Sequence, residues 1–312
     1  MSGDRSGLSV TSFAKVNRDL RVLGKRADGY HELDTVFQSI DLFDTLNFSE
    51  GEEGEGAEED VSLTIEGNAA GQLAADSSNL ILRAAHVLRE KFAVRRGARI
   101  HLSKKIPIGG GLGGGSSNAA SALRGLVSLW KLSPADAELH ELAASLGSDV
   151  PFFLLGGRAR GRGRGEILTP LPDGPEEWLL LVFPPFSLST AEVYARVKAR
   201  ALTGSPSATK VSGSETGGGP ERNDLERAAE SLRGELRRIR SALAGAGARS
   251  ARLSGSGSTV FGTFGTKEEA SRAMASLEGI GNETKARMAI VKTVSRAEFA
   301  RRAAPVRLVQ RG

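Results

Sequence analysis

The chain has no cysteine, which excludes disulfides and thiolate-held metals. Aromatic residues make up 5% of its 312 residues, leaving little on which to stack unpaired bases. No apolar run approaches the roughly twenty residues of a membrane span. The opening residues Met1-Ser2-Gly3-Asp4-Arg5 carry no apolar signal core. A cytoplasmic protein with no membrane partner is therefore expected. The net charge of +5 suits anionic small molecules about as well as it suits RNA. Much of the arginine lies in residues 158–165 and 233–240 and in the tail. A solvated hairpin turn accounts for the first group, and an anion-attracting rim is the alternative.

What the chain does have is glycine in one place. Pro107-Ile108-Gly109-Gly110-Gly111-Leu112-Gly113-Gly114-Gly115-Ser116-Ser117 holds six glycines within seven positions. It runs directly into a helical pattern with Ala119, Ala120, Leu123, Leu126, Val127 and Trp130 on one face. Glycine is entropically costly, so such a run persists where Cβ atoms would obstruct. Bare N–H groups feeding the positive end of a helix make a phosphate site. The P-loop pattern does not apply, because Gly115 is followed by Ser116 with no lysine. The dinucleotide fingerprint lacks its acidic partner. The Ser116 and Ser117 hydroxyls are placed to cap the helix or to face a phosphate-bound magnesium ion. A flexible linker is disfavoured, since linkers seldom enter an amphipathic helix directly.

Strands are expected over residues 8–16, 20–23, 61–65, 98–102, 178–183 and 287–293, with a strand pair around 252–261. Helices are expected from a Ser77 or Ser78 cap, from Ser133-Pro134 to Gly147, over 190–201 and 224–243, and from a Thr266-x-x-Glu269 capping box. Residues 49–60 are acidic and glycine-rich, and residues 204–219 are rich in Ser, Gly and Thr; both read as loops. The length suits two modest domains, divided as 1–170 and 171–312. The second half has the element order of a split βαβ sandwich. No internal repeat is visible.

Three further segments carry chemistry: Ala14-Lys15-Val16-Asn17, Lys25-Arg26-Ala27-Asp28-Gly29-Tyr30-His31-Glu32-Leu33 and Gly147-Ser148-Asp149-Val150-Pro151-Phe152-Phe153. An aspartate just past a helix end is a plausible base for a hydroxyl, and a nearby lysine would keep it ionised. Together with the glycine loop and Leu253-Ser254-Gly255-Ser256-Gly257, these segments resemble the GHMP small-molecule kinases from about residue 12 to 294. Within them they resemble the branch whose acceptor is the 2-hydroxyl of a cytidine-diphosphate-linked methylerythritol.

The resemblance implies an α+β, two-domain fold, with a ribosomal-protein-like N-terminal domain and a ferredoxin-like split βαβ C-terminal domain. It implies ATP and Mg2+ as cofactors, a small-molecule partner and no nucleic acid, in a monomer or homodimer. Asp149 becomes the base and Lys15 its partner. ATP is implied on Pro107, Gly109, Gly110, Gly111, Leu112, Gly113, Gly114, Gly115, Ser116 and Ser117, with Asn79 and Lys104 near adenine and Ser116 or Ser117 on the metal side. The acceptor is implied on Asn17, Tyr30, His31 and Tyr194, where tyrosine would stack on the base and imidazole would bond its edge. Arg18-Asp19 departs from the apolar residues usual after Asn17. Two alternatives stay open. Another kinase of the superfamily would act on homoserine or a mevalonate derivative, acceptors that carry no base. A non-catalytic RNA-binding protein would exploit the ribosomal-protein-like half.

Overall fold

A computed structural model describes residues 7–51, 60–67, 71–197 and 221–308. Residues 52–59 of the expected acidic loop, and the insertion at 204–219, lie outside the described residues. The chain opens with a long antiparallel hairpin, β1 (Gly7–Lys25) and β2 (His31–Glu50). The two short strands expected at 8–16 and 20–23 are one strand, because register shifts after Phe13 and Asn17 absorb the break in alternation. Then follow β3 (Val61–Gly67), α1 (Leu80–Phe92), β4 (Ala98–Lys104), α2 (Gly114–Leu129), α3 (Asp136–Leu146), α4 (Phe152–Leu155), β5 (Arg158–Gly163) and β6 (Ile167–Pro170). The first sheet runs β11-β1-β2-β4-β3, where β11 is Val306–Leu308 from the far end of the chain. On its free side β2 pairs first with β5, over Leu33–Gln38, and later with β4, over Thr45–Glu50.

The remaining elements are β7 (Trp178–Phe183), α5 (Thr190–Ala195), α6 (Glu226–Leu232), α7 (Glu235–Gly245), β8 (Ser250–Leu253), β9 (Val260–Phe264), α8 (Lys267–Ser276), α9 (Glu278–Thr284), β10 (Arg287–Lys292) and α10 (Arg296–Ala303). They build a four-stranded antiparallel sheet, β10-β7-β9-β8. The single helix expected over 224–243 is two, since Arg233 is extended (φ −142°, ψ 99°) and Gly234 follows it. The chain then returns to the first sheet. Phe299 of α10 packs with Phe13, and β11 pairs with Gly7–Ser9. Strands β1 to β6 precede residue 171 and β7 to β10 follow it, while β11 rejoins the first sheet.

Local chemistry moves two helix starts. Asn79 caps α1, its side-chain oxygen accepting from the Ile81 N–H at 3.0 Å, while Ser78 is turned onto Asp76. Ala135, not Ser133, stands at the cap of α3, in extended conformation (φ −66°, ψ 151°) and with no side-chain cap bond. The Glu138 carboxylate accepts from the Ala135 N–H at 3.1 Å.

Each half has its own apolar core, and a third cluster joins them. Ala14, Val16, Ile40, Ile106 and Leu112 from the first half meet Leu179, Leu181, Phe183, Phe261 and Val291 from the second. At about 2 kcal/mol per fully buried large side chain, this seam holds the halves together beside polar links such as Arg18 to Glu177 and Glu221. It fixes the strand that carries Lys15, since Ala14 and Val16 flank that residue and face the seam.

Candidate active site

Lys15 sits opposite its apolar neighbours, as strand alternation requires. It is buried, and its ammonium is held from three sides. It donates to Asn17 Oδ1 at 2.6 Å and to the Gly111 carbonyl at 3.1 Å, and it stands 3.4 Å from Asp149 Oδ2. Asn17 is oriented in turn, donating to Thr35 Oγ1 at 2.8 Å. Asp149 lies in the turn between α3 and α4, anchored by buried Val150, Phe152 and Phe153, with a third of its side chain exposed. The two residues brought together from distant positions thus form one ion pair at a cavity wall.

The glycine loop passes directly beneath this pair. Gly111 and Gly113 adopt left-handed φ of +73° and +70°, which disfavours any side chain. Space forbids one as well. A Cβ at Gly111 would collide with the Ser254 carbonyl, and one at Gly113 would lie 2.7 Å from the Phe153 ring. The loop is tied to the second half by Ser254 Oγ donating to the Gly111 carbonyl at 2.9 Å and Thr259 N–H donating to the Gly110 carbonyl at 3.2 Å. The cap of α2 is Gly113, which offers no side chain, and the first turn has no acidic residue. The helix presents uncapped N–H groups, an arrangement suited to phosphate.

Two cavities meet at this loop. One, of about 410 Å³, is lined by Pro107, Leu112, the loop glycines 109–111 and 113–115, Ser116, Asn79 and Lys104. The other, of about 730 Å³, lies between the halves and takes in Lys15, Asn17, Tyr30, His31, Asp149 and Tyr194. Gly111 and Gly113 line both, so the ion pair stands where the cavities join. Ser117 is the exception among the expected residues. Its buried hydroxyl shares a 2.7 Å hydrogen bond with Ser12, so it is turned away from any metal in this arrangement. Neither serine caps α2. Ser116 remains at the cavity.

The aromatic groups differ in detail from a simple sandwich. Tyr194 stacks on His31, with centroids 4.9 Å apart at 26°. Tyr30 is exposed, with the Arg164 guanidinium over its ring. Burial and the nearby Lys25 hold the His31 imidazole below its usual pKa. Burial, then the charge on Asp149, pushes the Tyr194 phenol up.

Sequence reasoning missed Asp44. It is fully buried, and its Oδ1 accepts from the Lys105 and Ile106 N–H groups at 2.7 and 2.8 Å. Its Oδ2 accepts from Lys104 at 2.6 Å and from Asn118 at 2.8 Å. Burial depresses the Lys104 pKa, and Asp44 opposes that shift. This carboxylate anchors both ends of the glycine loop, and no motif announces it.

A glycine loop on an uncapped helix, meeting a lysine–aspartate pair beside the seam of two α+β halves, defines a small-molecule phosphotransferase. The sequence matches the GHMP kinases N terminal domain over residues 79–157 and the GHMP kinases C terminal over 214–281. The 4-diphosphocytidyl-2-C-methyl-D-erythritol kinase of Pelotomaculum thermopropionicum is 43% identical over 272 residues, 84% of this chain and 91% of that one. The protein of the same name from Parvibaculum lavamentivorans is 41% identical over 267 residues, 83% and 90% of the two chains. A crystal structure of 4-(cytidine 5'-diphospho)-2C-methyl-D-erythritol kinase is 35% identical, with a TM-score of 0.72 over 91% of this chain and 98% of that one. The chain belongs to the GHMP kinases, within the 4-diphosphocytidyl-2-C-methyl-D-erythritol kinase family. Among the described residues, no helix is long and apolar enough to cross a membrane.

Proposed function

We propose that this chain transfers the γ-phosphoryl group of ATP to the 2-hydroxyl of 4-diphosphocytidyl-2-C-methyl-D-erythritol, a step of non-mevalonate isoprenoid precursor synthesis. The observation that carries the reading is the 3.4 Å approach of Lys15 Nζ and Asp149 Oδ2 at the junction of the two cavities. ATP lies with its phosphates on the loop from Gly109 to Ser117 and its base toward Asn79 and Lys104. The acceptor fills the larger cleft, its cytosine among Tyr30, His31 and Tyr194 and its polyol toward Asn17. Residues 1–170 supply the phosphate loop and the reacting pair, and 171–312 supply the closing wall.

In the transfer, the acceptor oxygen forms its bond to the γ-phosphorus as the bond to the β,γ-bridging oxygen breaks. The hydroxyl proton passes to Asp149, and ADP leaves. The transition state is loose, so positioning and charge do most of the work. Lys15, 3.4 Å from the Asp149 carboxylate, holds it in place and stabilises the phosphoryl oxygens. Among the described residues, no three His, Asp or Glu side chains stand together as a metal cage, and the donors here fit a magnesium ion held chiefly by phosphates. Ser116 would hold it, and the ion would neutralise charge on the transferring group. Accordingly, Ser116→Ala raises the KM for MgATP severalfold without changing the melting temperature. Ser117→Ala leaves that KM alone and costs about 1 kcal/mol of stability for its buried hydrogen bond, as a denaturation curve would register.

His31 gives a pH prediction. Its pKa lies below the usual 6.5, so the ring is neutral from there upward and protonates only as the pH falls further. The KM for the cytidine-bearing acceptor is flat through neutral pH and rises only at a pH lower than a free imidazole would set. His31→Ala raises KM about tenfold, the scale of one or two hydrogen bonds, and abolishes the acid rise. Unchanged KM in that variant would remove His31 from the base site. The functional reading itself is tested by coupled ADP release with CDP-methylerythritol, homoserine and mevalonate. Turnover confined to the first is expected, and turnover of either other acceptor alone would refute the assignment.

A further inference from the structure

Residues 221–225 touch both halves beside the reacting centre. On one side they lie along β1. The Leu20 N–H donates to the Arg222 carbonyl at 2.8 Å, and the Asp224 N–H donates to the Leu20 carbonyl at 2.9 Å. Side chains lock the same register. Asp19 Oδ1 accepts from the Arg222 N–H at 3.0 Å, Asp224 Oδ2 from the Val22 N–H at 2.9 Å, and Glu221 Oε1 from Arg18 Nε at 2.7 Å. On the other side Asn223 reaches the turn that leaves β8. Its amide nitrogen donates to the Leu253 carbonyl at 2.9 Å and to the Gly255 carbonyl at 2.8 Å. Its oxygen accepts from the Leu225 N–H at 2.9 Å.

Asn223 is buried, and the turn it holds supplies Gly255 and Ser256 to the wall of the acceptor cleft. That turn presses on the reacting pair. A Cβ at Gly255 would lie 3.3 Å from Asn17 Oδ1 and 3.6 Å from Lys15 Nζ. Ser254 Oγ donates to the Gly111 carbonyl, the oxygen that also accepts from Lys15. Lys15 thus stands between the strand that carries it and a turn of the other half, and Asn223 ties that turn back to the same strand. A carboxamide suits the place, since it offers two donors to two carbonyl oxygens without bringing a charge. A leucine there would offer none.

We propose that Asn223 is a positioning residue for phosphoryl transfer. It fixes the turn at 253–255 against Lys15, Asn17 and Gly111, so that the ammonium stays aimed at the transferring group. The inference rests on the reading of the Lys15–Asp149 junction as the place of transfer, whatever the acceptor. ATP and acceptor are held largely by other residues, so a shifted turn is felt in the rate before it is felt in binding.

The test uses the full chain with MgATP and with CDP-methylerythritol, homoserine or mevalonate, whichever the wild type turns over. Asn223→Leu keeps the bulk and removes both donors. It lowers kcat on the order of a hundredfold, the scale of a reacting group misplaced by about 1 Å. The KM values for ATP and acceptor stay within about threefold of wild type, since the loss falls on the transition state. Asn223→Ser keeps one donor, loses less, and stands in should Asn223→Leu fail to fold. Ser254→Ala lowers kcat through the same turn, so Asn223→Leu/Ser254→Ala is no slower than Asn223→Leu alone. Melting curves give the folded fraction by which each rate is corrected. A merely structural role would lower the melting temperature and leave the corrected kcat unchanged. That result in the folded variant overturns the inference, as does a double variant whose two losses multiply. The acceptor used by the wild type judges the functional reading separately. A chain that phosphorylates homoserine alone, and loses that kcat in Asn223→Leu, would refute the reading and leave the inference standing; turnover of none of the three would refute both.

Discussion

Asp149→Asn lowers kcat by about three orders of magnitude, within the range of a lost general base, and leaves the fold intact. The substitution keeps the shape of the side chain and removes its basicity. Structure should survive for two reasons. Asp149 is a third exposed, and its Lys15 partner keeps two other acceptors, Asn17 Oδ1 and the Gly111 carbonyl. No buried cation is stranded. Lys15→Ala also loses activity, but it strips a donor from Asn17 and from the loop, so its melting temperature falls as well. Steady-state kinetics beside thermal melts separate the two cases. An Asp149→Asn enzyme within a few-fold of wild-type kcat would take proton transfer away from this residue.

Asp44→Ala is the largest stability effect expected. Asp44 is fully buried and Lys104 nearly so, joined at 2.6 Å. The pair is a poor net stabiliser when weighed against its desolvation, yet removing one partner alone leaves a buried ammonium with only the Ile106 carbonyl, at 2.8 Å. Two backbone N–H groups lose their acceptor at the same time. The cost is about 3–5 kcal/mol, a large part of a domain's usual margin. The double variant Asp44→Ala/Lys104→Met recovers part of that loss, because no charge is then stranded. Denaturant melts of the single and double variants decide the matter. A double variant no more stable than Asp44→Ala would mean that the backbone bonds, and not the stranded charge, carry the cost.

The parts of the site that were legible in the sequence are those whose chemistry is local. The glycine run announces itself because glycines are expensive and a helix follows at once. Lys15, Asp149 and the Tyr30-His31 segment came from short motifs in the order of a known superfamily, and the fold brings them to one cleft. The rest depends on long-range placement. Asp44 belongs to no motif and falls in no expected element; its partners at 104, 105, 106 and 118 arrive through the sheet and α2. Ser116 and Ser117 are chemically alike and adjacent, and only the rotation of α2 sends one to the cavity and the other to Ser12. The arginine run has a single composition, but the pleat of β5 assigns its members to different surfaces. Likewise, the return of α10 and β11 to the first sheet is invisible in a tail that reads as polar and basic.

The account stands or falls on phosphoryl transfer at the Lys15–Asp149 junction. Phosphorus NMR of CDP-methylerythritol incubated with MgATP and the enzyme addresses it directly. The account predicts a new phosphomonoester resonance beside an intact diphosphate with the wild type, and none on the same timescale with Asp149→Asn. No new monoester from the wild type, or equal formation by both proteins, would contradict it.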